Sequence, residues 1–270
     1  MNGRRDDVVH VEGGRIAFQV AGGGPAVVLV HPGLWDMRAW DDQFEIFAER
    51  FTVLRYDVRG YGRSSRPTGT PYSHVRDQIA VMDAAGVGAA ALVGCSMGGG
   101  IELDFVLTHP GRVRALVVVA SALGGFETND DEERWWDERA AGIQGAMEAG
   151  DLARAQEIRL SIWAPLGTDD PAGRRIRDIA FDNIHELTMD ESAAEELDPP
   201  AIERLEEIAC PTLVVPADHD PPDLRRASAE LAARVPGAVT VAIPDTDHVV
   251  GMRRPREFND AVLAFLDRTS

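Results

Sequence analysis

Short apolar runs alternate with amphipathic stretches along the first third of the chain. Residues 26–30, 52–56 and 90–94 are apolar runs, and residues 38–50 and 73–86 between them have helical spacing. Runs without polar alternation, such as 26–30 and 115–119, suit strands buried on both faces of a parallel sheet, because a wet face would put a polar residue at every second position. Helices must then cover both faces, so the pattern predicts an α/β class with a mostly parallel central sheet. Residues 8–12 and 15–21 flank Gly13-Gly14 and read as a β-hairpin leading into that sheet.

From Phe126 to about Pro200 the rhythm stops. This stretch is rich in Ala, Glu, Asp, Arg and Trp, keeps helical periodicity and contains no convincing strand. The strand signal returns at residues 212–215, followed by an amphipathic stretch at 223–234, a second run at 240–243 and a terminal helix over 255–267. The organisation expected is one core domain, residues 1–125 and 201–270, interrupted by a helical cap at 126–200. No internal repeat or low-complexity segment is present.

Composition narrows the function classes. An apolar fraction of 44% with 27% charged residues is that of an ordinary soluble globular chain. The formal net charge of −18 disfavours a nucleic-acid partner, which needs lysines and arginines against its phosphates. The same field favours neutral or weakly charged small-molecule substrates. Two cysteines, Cys95 and Cys210, read as reduced thiols rather than a disulfide framework. No stretch has the length of a signal peptide's apolar region or a membrane span, so a cytoplasmic location with no membrane partner is expected.

Candidate chemistry begins where the run 90–93 meets Gly94-Cys95-Ser96-Met97-Gly98-Gly99, with a helical pattern over 100–108. This is G-x-S-x-G between a strand and a helix, where glycines are needed because side chains beside the serine would strike the neighbouring strand or helix. Ser96 is the candidate nucleophile. The helix start points free N–H groups and a positive dipole end at it, making the Met97 N–H the first oxyanion donor. The loop His31-Pro32-Gly33-Leu34-Trp35-Asp36 follows the run 26–30 and would lie beside Ser96 if the two strands are neighbours. Pro32 has no N–H, so the second donor is assigned to Gly33, with Leu34 as the fallback. His31 reads as a structural histidine holding the loop.

The run 212–215 ends in Pro216-Ala217-Asp218-His219-Asp220-Pro221-Pro222, a polar turn at a strand's carboxyl end, where α/β sheets place their ligands. Asp220 is the expected acid, with Asp218 as competitor. His248, in the loop before the last helix, is the expected general base, and His219 is its rival. His10, His74, His109 and His185 have no chemical companions in sequence. Asp245 and Asp247 lack the compact ligand array a metal needs, so neither a metal nor another cofactor is expected.

Taken together, these segments resemble the α/β-hydrolase superfamily, and within it the serine esterases and lactonases, including 3-oxoadipate enol-lactonases. Besides the Ser96 motif, the resemblance is carried by residues 53–64, by His109-Pro110-Gly111-Arg112-Val113 and by the ending from Asp247-His248 to Phe265-Leu266. It covers nearly the whole chain, with Pro32 departing from the usual His-Gly pair. The resemblance implies an α/β-hydrolase fold and the triad Ser96, Asp220 and His248, with the oxyanion loop at 31–34. The expected reaction is cleavage of a carboxylic ester or lactone through an acyl-enzyme. Trp35, Trp135, Trp136 and Trp163, with Leu34, are candidates for the substrate pocket. Hydrolytic carbon–carbon cleavage or perhydrolase activity would use the same triad. A non-catalytic small-molecule receptor is the alternative of a different class.

Overall fold

The computed structural model describes residues 3–269. Eight strands form one sheet in the order β1-β2-β4-β3-β5-β6-β7-β8. They are β1 (Arg5–Val11), β2 (Gly14–Gly22), β3 (Ala26–Val30), β4 (Thr52–Tyr56), β5 (Ala90–Cys95), β6 (Val113–Val119), β7 (Thr212–Val215) and β8 (Val239–Thr240). The hairpin of β1 and β2 is antiparallel, as is the pairing of β2 with β4, while every pairing from β4 through β8 is parallel.

The reason the central strands are uniformly apolar is visible in their packing. In β3, Val28 and Val30 join one apolar cluster while Val27 and Leu29 join another on the opposite face. The same alternation holds in β6, where Leu116 and Val118 face one way and Ala115, Val117 and Val119 the other. On the first face lie α2 (His74–Ala85), α3 (Met97–Thr108) and α7 (Pro222–Arg234), and on the second α1 (Asp41–Ala48) and α9 (Pro255–Thr269). Each fully buried Val or Leu contributes about 1.5–3 kcal/mol relative to exposure, so both layers select apolar residues at every position.

Between β6 and β7 come α4 (Asp130–Glu148), α5 (Leu152–Trp163) and α6 (Pro171–Asp182), followed by a short 3-10 turn at Ile184–Thr188. The helix starts are set by side-chain caps: Asn129 and Glu132 form a reciprocal capping box, and Asp151 and Asp170 each accept a first-turn N–H. Among the described residues of this segment the strand content is one isolated parallel bridge, Tyr72 with Ala194. A third apolar cluster joins α5 and α6 to the loop after β3 and to α8 (Val250–Arg253), through Leu160, Ala164, Ile176 and Ile179 against Leu34, Trp35, Val249 and Met252.

Three sequence expectations need correction. The helix expected over 38–50 begins as a 3-10 turn at Met37–Trp40, because Asp36 captures the Arg38 N–H, and becomes α-helical only at Asp41. The helix after the serine motif starts three residues earlier than expected, at Met97. The strand expected over 240–243 is only Val239–Thr240: these residues and Val241 are exposed at the sheet edge, where no second face of packing extends the run. Among the described residues no helix is long and apolar enough to cross a membrane. Both cysteines are free thiols.

Candidate active site

Ser96, Asp220, His248 and the loop 31–36 all follow the carboxyl ends of parallel strands, β5, β7, β8 and β3 respectively. Strands β3 and β5 are paired, with Val30 opposite Gly94, so the loop after β3 is carried to the start of α3.

Ser96 sits at φ 53° and ψ −118°, a strained conformation for a residue with a side chain. Its backbone is held on both sides. The N–H donates to Val119 O at 2.9 Å, and the carbonyl accepts from Gly100 N at 3.0 Å and Ala122 N at 3.1 Å. The flanking glycines are required by space: a Cβ on Gly94 would stand 2.3 Å from Gly98 O, and one on Gly98 would stand 2.2 Å from Val30 O. Met97 is the first residue of α3, so its N–H has no acceptor within the helix.

His31 is fully buried. Its Nδ1–H donates to Pro32 O at 2.8 Å, and its Nε2 accepts the Val58 N–H at 2.9 Å. Burial lowers this imidazole to about 4, partly offset by the Pro32 carbonyl, so it is neutral and braces the loop. Gly33 is half-buried, and Leu34 is buried at φ 70°. Asp57, a residue to which the sequence reading gave no role, supports the same loop from below. Its carboxylate accepts Met37 N–H at 3.0 Å and Arg63 N–H at 2.8 Å, and burial followed by the nearby Asp36 charge pushes it up to about 6.

The acid turn separates its candidates by geometry. Asp220 and His248 are both buried, with Nδ1 2.7 Å from Oδ1. Asp218 is exposed and accepts the Asp245 N–H at 2.9 Å, and His219 is exposed 3.5 Å from Asp245. His248 lies against the serine strand, since the Cys95 thiol donates to the His248 carbonyl at 3.4 Å. Burial, with the Asp220 charge a smaller contribution, raises that thiol well above its usual range, so it stays protonated. Next to the histidine, the fully buried Asp247 takes a fork from Arg253 Nε and Nη2, and Nη2 also donates to Gly167 O at 2.7 Å in the turn after α5.

The tryptophans divide. Trp163 packs on the His248 ring with centroids 4.4 Å apart, Trp136 on Trp163 at 5.5 Å, and Trp135 on Trp136 at 4.9 Å. Trp35 is elsewhere: it is completely buried in the third cluster and donates its indole N–H to Ile176 O at 2.8 Å, so it anchors the loop to α6 and is no pocket wall. Asn183, just after α6, makes the same connection, donating to Asp36 Oδ2 at 2.9 Å and accepting the Gly62 N–H at 2.8 Å. It stands in no motif, and nothing local in the sequence marks it. A cavity of about 410 Å³ opens beside Met97, lined by His74, Asp104, Gly125, Glu191 and Leu197 among others. Burial pushes Asp104 up to about 6 and raises Glu191 as well.

Comparison with known proteins gives this geometry its family. Residues 27–261 match the model described as the alpha/beta hydrolase family. The chain belongs to that family. Hydrolysis is accordingly its reaction class. Among family members, the putative carbamate hydrolase RutD of Caulobacter sp. (strain K31) is 32% identical over 268 residues, covering 90% of this chain and 93% of its own. A solved structure titled "Est816 as an N-Acyl homoserine lactone degrading enzyme" superposes with a TM-score of 0.76 at 28% identity, over 96% of this chain and 100% of its own. The enol-lactonase from Burkholderia xenovorans LB400 superposes equally well, with a TM-score of 0.76 at 23% identity, over 97% of this chain and 100% of its own, and shares the fold.

Proposed function

We propose that this member of the family is a serine hydrolase cleaving a carboxylic ester or lactone, with Ser96 as nucleophile, His248 as general base and Asp220 as the carboxylate that orients it. The observation that carries the reading is the buried 2.7 Å contact between His248 Nδ1 and Asp220 Oδ1, beside a serine held at φ 53° at the mouth of a helix. With Nδ1 committed to Asp220, Nε2 is the nitrogen free to take a proton from Ser96 Oγ. Oγ then bonds to the carbonyl carbon, and the carbonyl oxygen becomes an oxyanion facing the amides of Met97 and Gly33. Collapse expels the alcohol or opens the lactone, with the proton returned from Nε2 to the departing oxygen. Water, deprotonated by the same nitrogen, releases the acyl group. Each oxyanion donor contributes about 2.7–4 kcal/mol to that step.

In this account residues 126–200 are a cap over a core of 1–125 and 201–270. The tryptophan series from Trp135 to Trp163 lines the acyl side of the pocket, together with Leu34. The carboxylates around the cavity beside Met97 favour neutral substrates over anionic ones. Steady-state hydrolysis of aryl esters, lactones and carbamates by the wild type and by Ser96→Ala tests the reading. The carbamates are included because of the RutD relative. A loss of roughly 10⁴-fold or more in the variant is expected, with esters or lactones preferred. A folded wild type that turns over nothing but binds a member of the panel tightly would instead point to a receptor.

A further inference from the structure

The contact between Trp163 and His248 is closer than any other ring contact of the tryptophan series, and it is built rather than incidental. Trp163 ends α5, and the turn after it is tied to the histidine's own loop through Arg253, which bridges Gly167 O and the buried Asp247. Leu160, Ala164, Ile176 and Val249 pack around the same junction. The indole is therefore fixed against the imidazole, with ring centroids 4.4 Å apart and planes at 44°.

We infer that Trp163 is a positioning residue for the base: its π face stabilises the imidazolium that forms on His248 when Ser96 gives up its proton, and it holds the ring in register with Asp220. A cation within about 6 Å of a Trp ring centroid is attracted by the ring's quadrupole, most strongly where water is excluded, and the His248 side chain is 3% exposed. The charged form exists only after proton transfer, so the contact is stronger in the transition state than in the resting enzyme. This inference rests on the serine-hydrolase reading and adds to it a role for a residue otherwise read as pocket wall.

The other groups facing His248 are accounted for. Asp220, after β7, holds Nδ1; Asp247, on the histidine's own loop, is committed to Arg253; and Cys95 on β5 is a neutral thiol bonded to the His248 carbonyl. Asp223 on α7 accepts the Trp136 N–H at 3.1 Å, while Asp245 and His219 pair at the exposed rim. Trp163 is the one ring stacked on the imidazole among the described residues.

The test compares wild type, Trp163→Phe and Trp163→Leu in two ways. In the pH profile of kcat/KM, the acid limb marks protonation of the base. Removing the stabilisation of the imidazolium moves that limb to lower pH, by about half a unit to one unit in Trp163→Leu and by less in Trp163→Phe, with a several-fold lower plateau. Nitrogen NMR titration of the His248 ring, without substrate, should move the same way, and Trp163→Phe gives the answer if Trp163→Leu does not fold. Superimposable pH profiles and ring titrations with only KM raised would overturn the inference and leave Trp163 as pocket wall. Fluorophosphonate labelling of the wild type separates the two claims: absence of label sinks the serine-hydrolase reading, whereas the ring titration judges Trp163 on its own.

Discussion

The sheet and the helical segment between β6 and β7 draw on apolar packing and polar bonds in different proportions. Strands β3, β5, β6 and β7 are buried on both faces and alternate between two apolar clusters. In α4, by contrast, the buried residues of 19 are Glu132 and Ala146, and the segment joins the rest through the one smaller apolar cluster of α5 and α6 together with polar bonds that include those at Trp35, Asn183, Arg226 and Arg253. Apolar burial on two faces makes a stiff frame. The helical segment adds directional bonds to a smaller apolar cluster, so its placement depends more on individual polar groups. Under the proposed function, the chemistry lies at the strand ends, and the segment governs fit and alignment.

That contrast predicts a ranking of effects. The largest is Asp220→Asn, expected to reduce kcat by roughly 10³–10⁴-fold because the amide loses the charge and can donate to Nδ1, favouring the wrong His248 tautomer, while Asp218→Asn changes it less than about threefold. Equal losses from both would break the assignment. For stability, Leu116→Ala in β6 should cost about 2–5 kcal/mol by leaving a cavity in the frame. Leu166→Ala, 39% exposed after α5, should stay within about 0.5 kcal/mol in denaturant titration.

Next comes Asn183→Ala, which removes one donor from the buried Asp36 carboxylate, still paired with Arg38, and the acceptor of the Gly62 N–H. A fall of roughly tenfold in kcat/KM is expected because the loop bearing Gly33 loses one of its ties to the segment, along with a lower melting temperature. An unchanged kcat/KM would mean that the segment does not align the loop.

The smallest effect sharpens the account of the frame. Glu102 on α3 is fully buried, takes one hydrogen bond from Gln78 at 2.7 Å, and has its second oxygen unpartnered. Burial pushes it up to about 8, above its ordinary value of 4.5. The neutral form is thus the one the fold favours, so its stabilisation is complete below pH 4.5 and is lost as the pH rises through about 8. Glu102→Gln should therefore melt a few degrees above wild type at pH 8 to 9, with the gap closing toward pH 5. A gap independent of pH would exclude ionisation of Glu102 as the cause.

How much of this was legible in the sequence follows the same division. Residues 26–30 and 212–215 are bounded to the residue because two-sided burial writes itself as an apolar run, and 52–56 is bounded too although it carries the buried Arg55; the serine motif is legible through glycines that only steric contact demands, but its helix begins three residues earlier than the pattern suggests. The pairing of Asp220 rather than Asp218 with the histidine was open, since two carboxylates in one turn look alike until burial separates them. Trp35 was misread because its partner, the Ile176 carbonyl, lies 141 residues away and leaves no local trace. Asn183, Asp57 and Arg253 escaped for the same reason: each acts through a long-range polar bond, which no periodicity encodes.

The most direct test of the central claim is intact-mass and peptide mass spectrometry after exposure to a fluorophosphonate. The account predicts one adduct per chain, on Ser96, absent in Ser96→Ala and greatly slowed in His248→Ala. An adduct elsewhere, or none on a folded and active wild type, would contradict it.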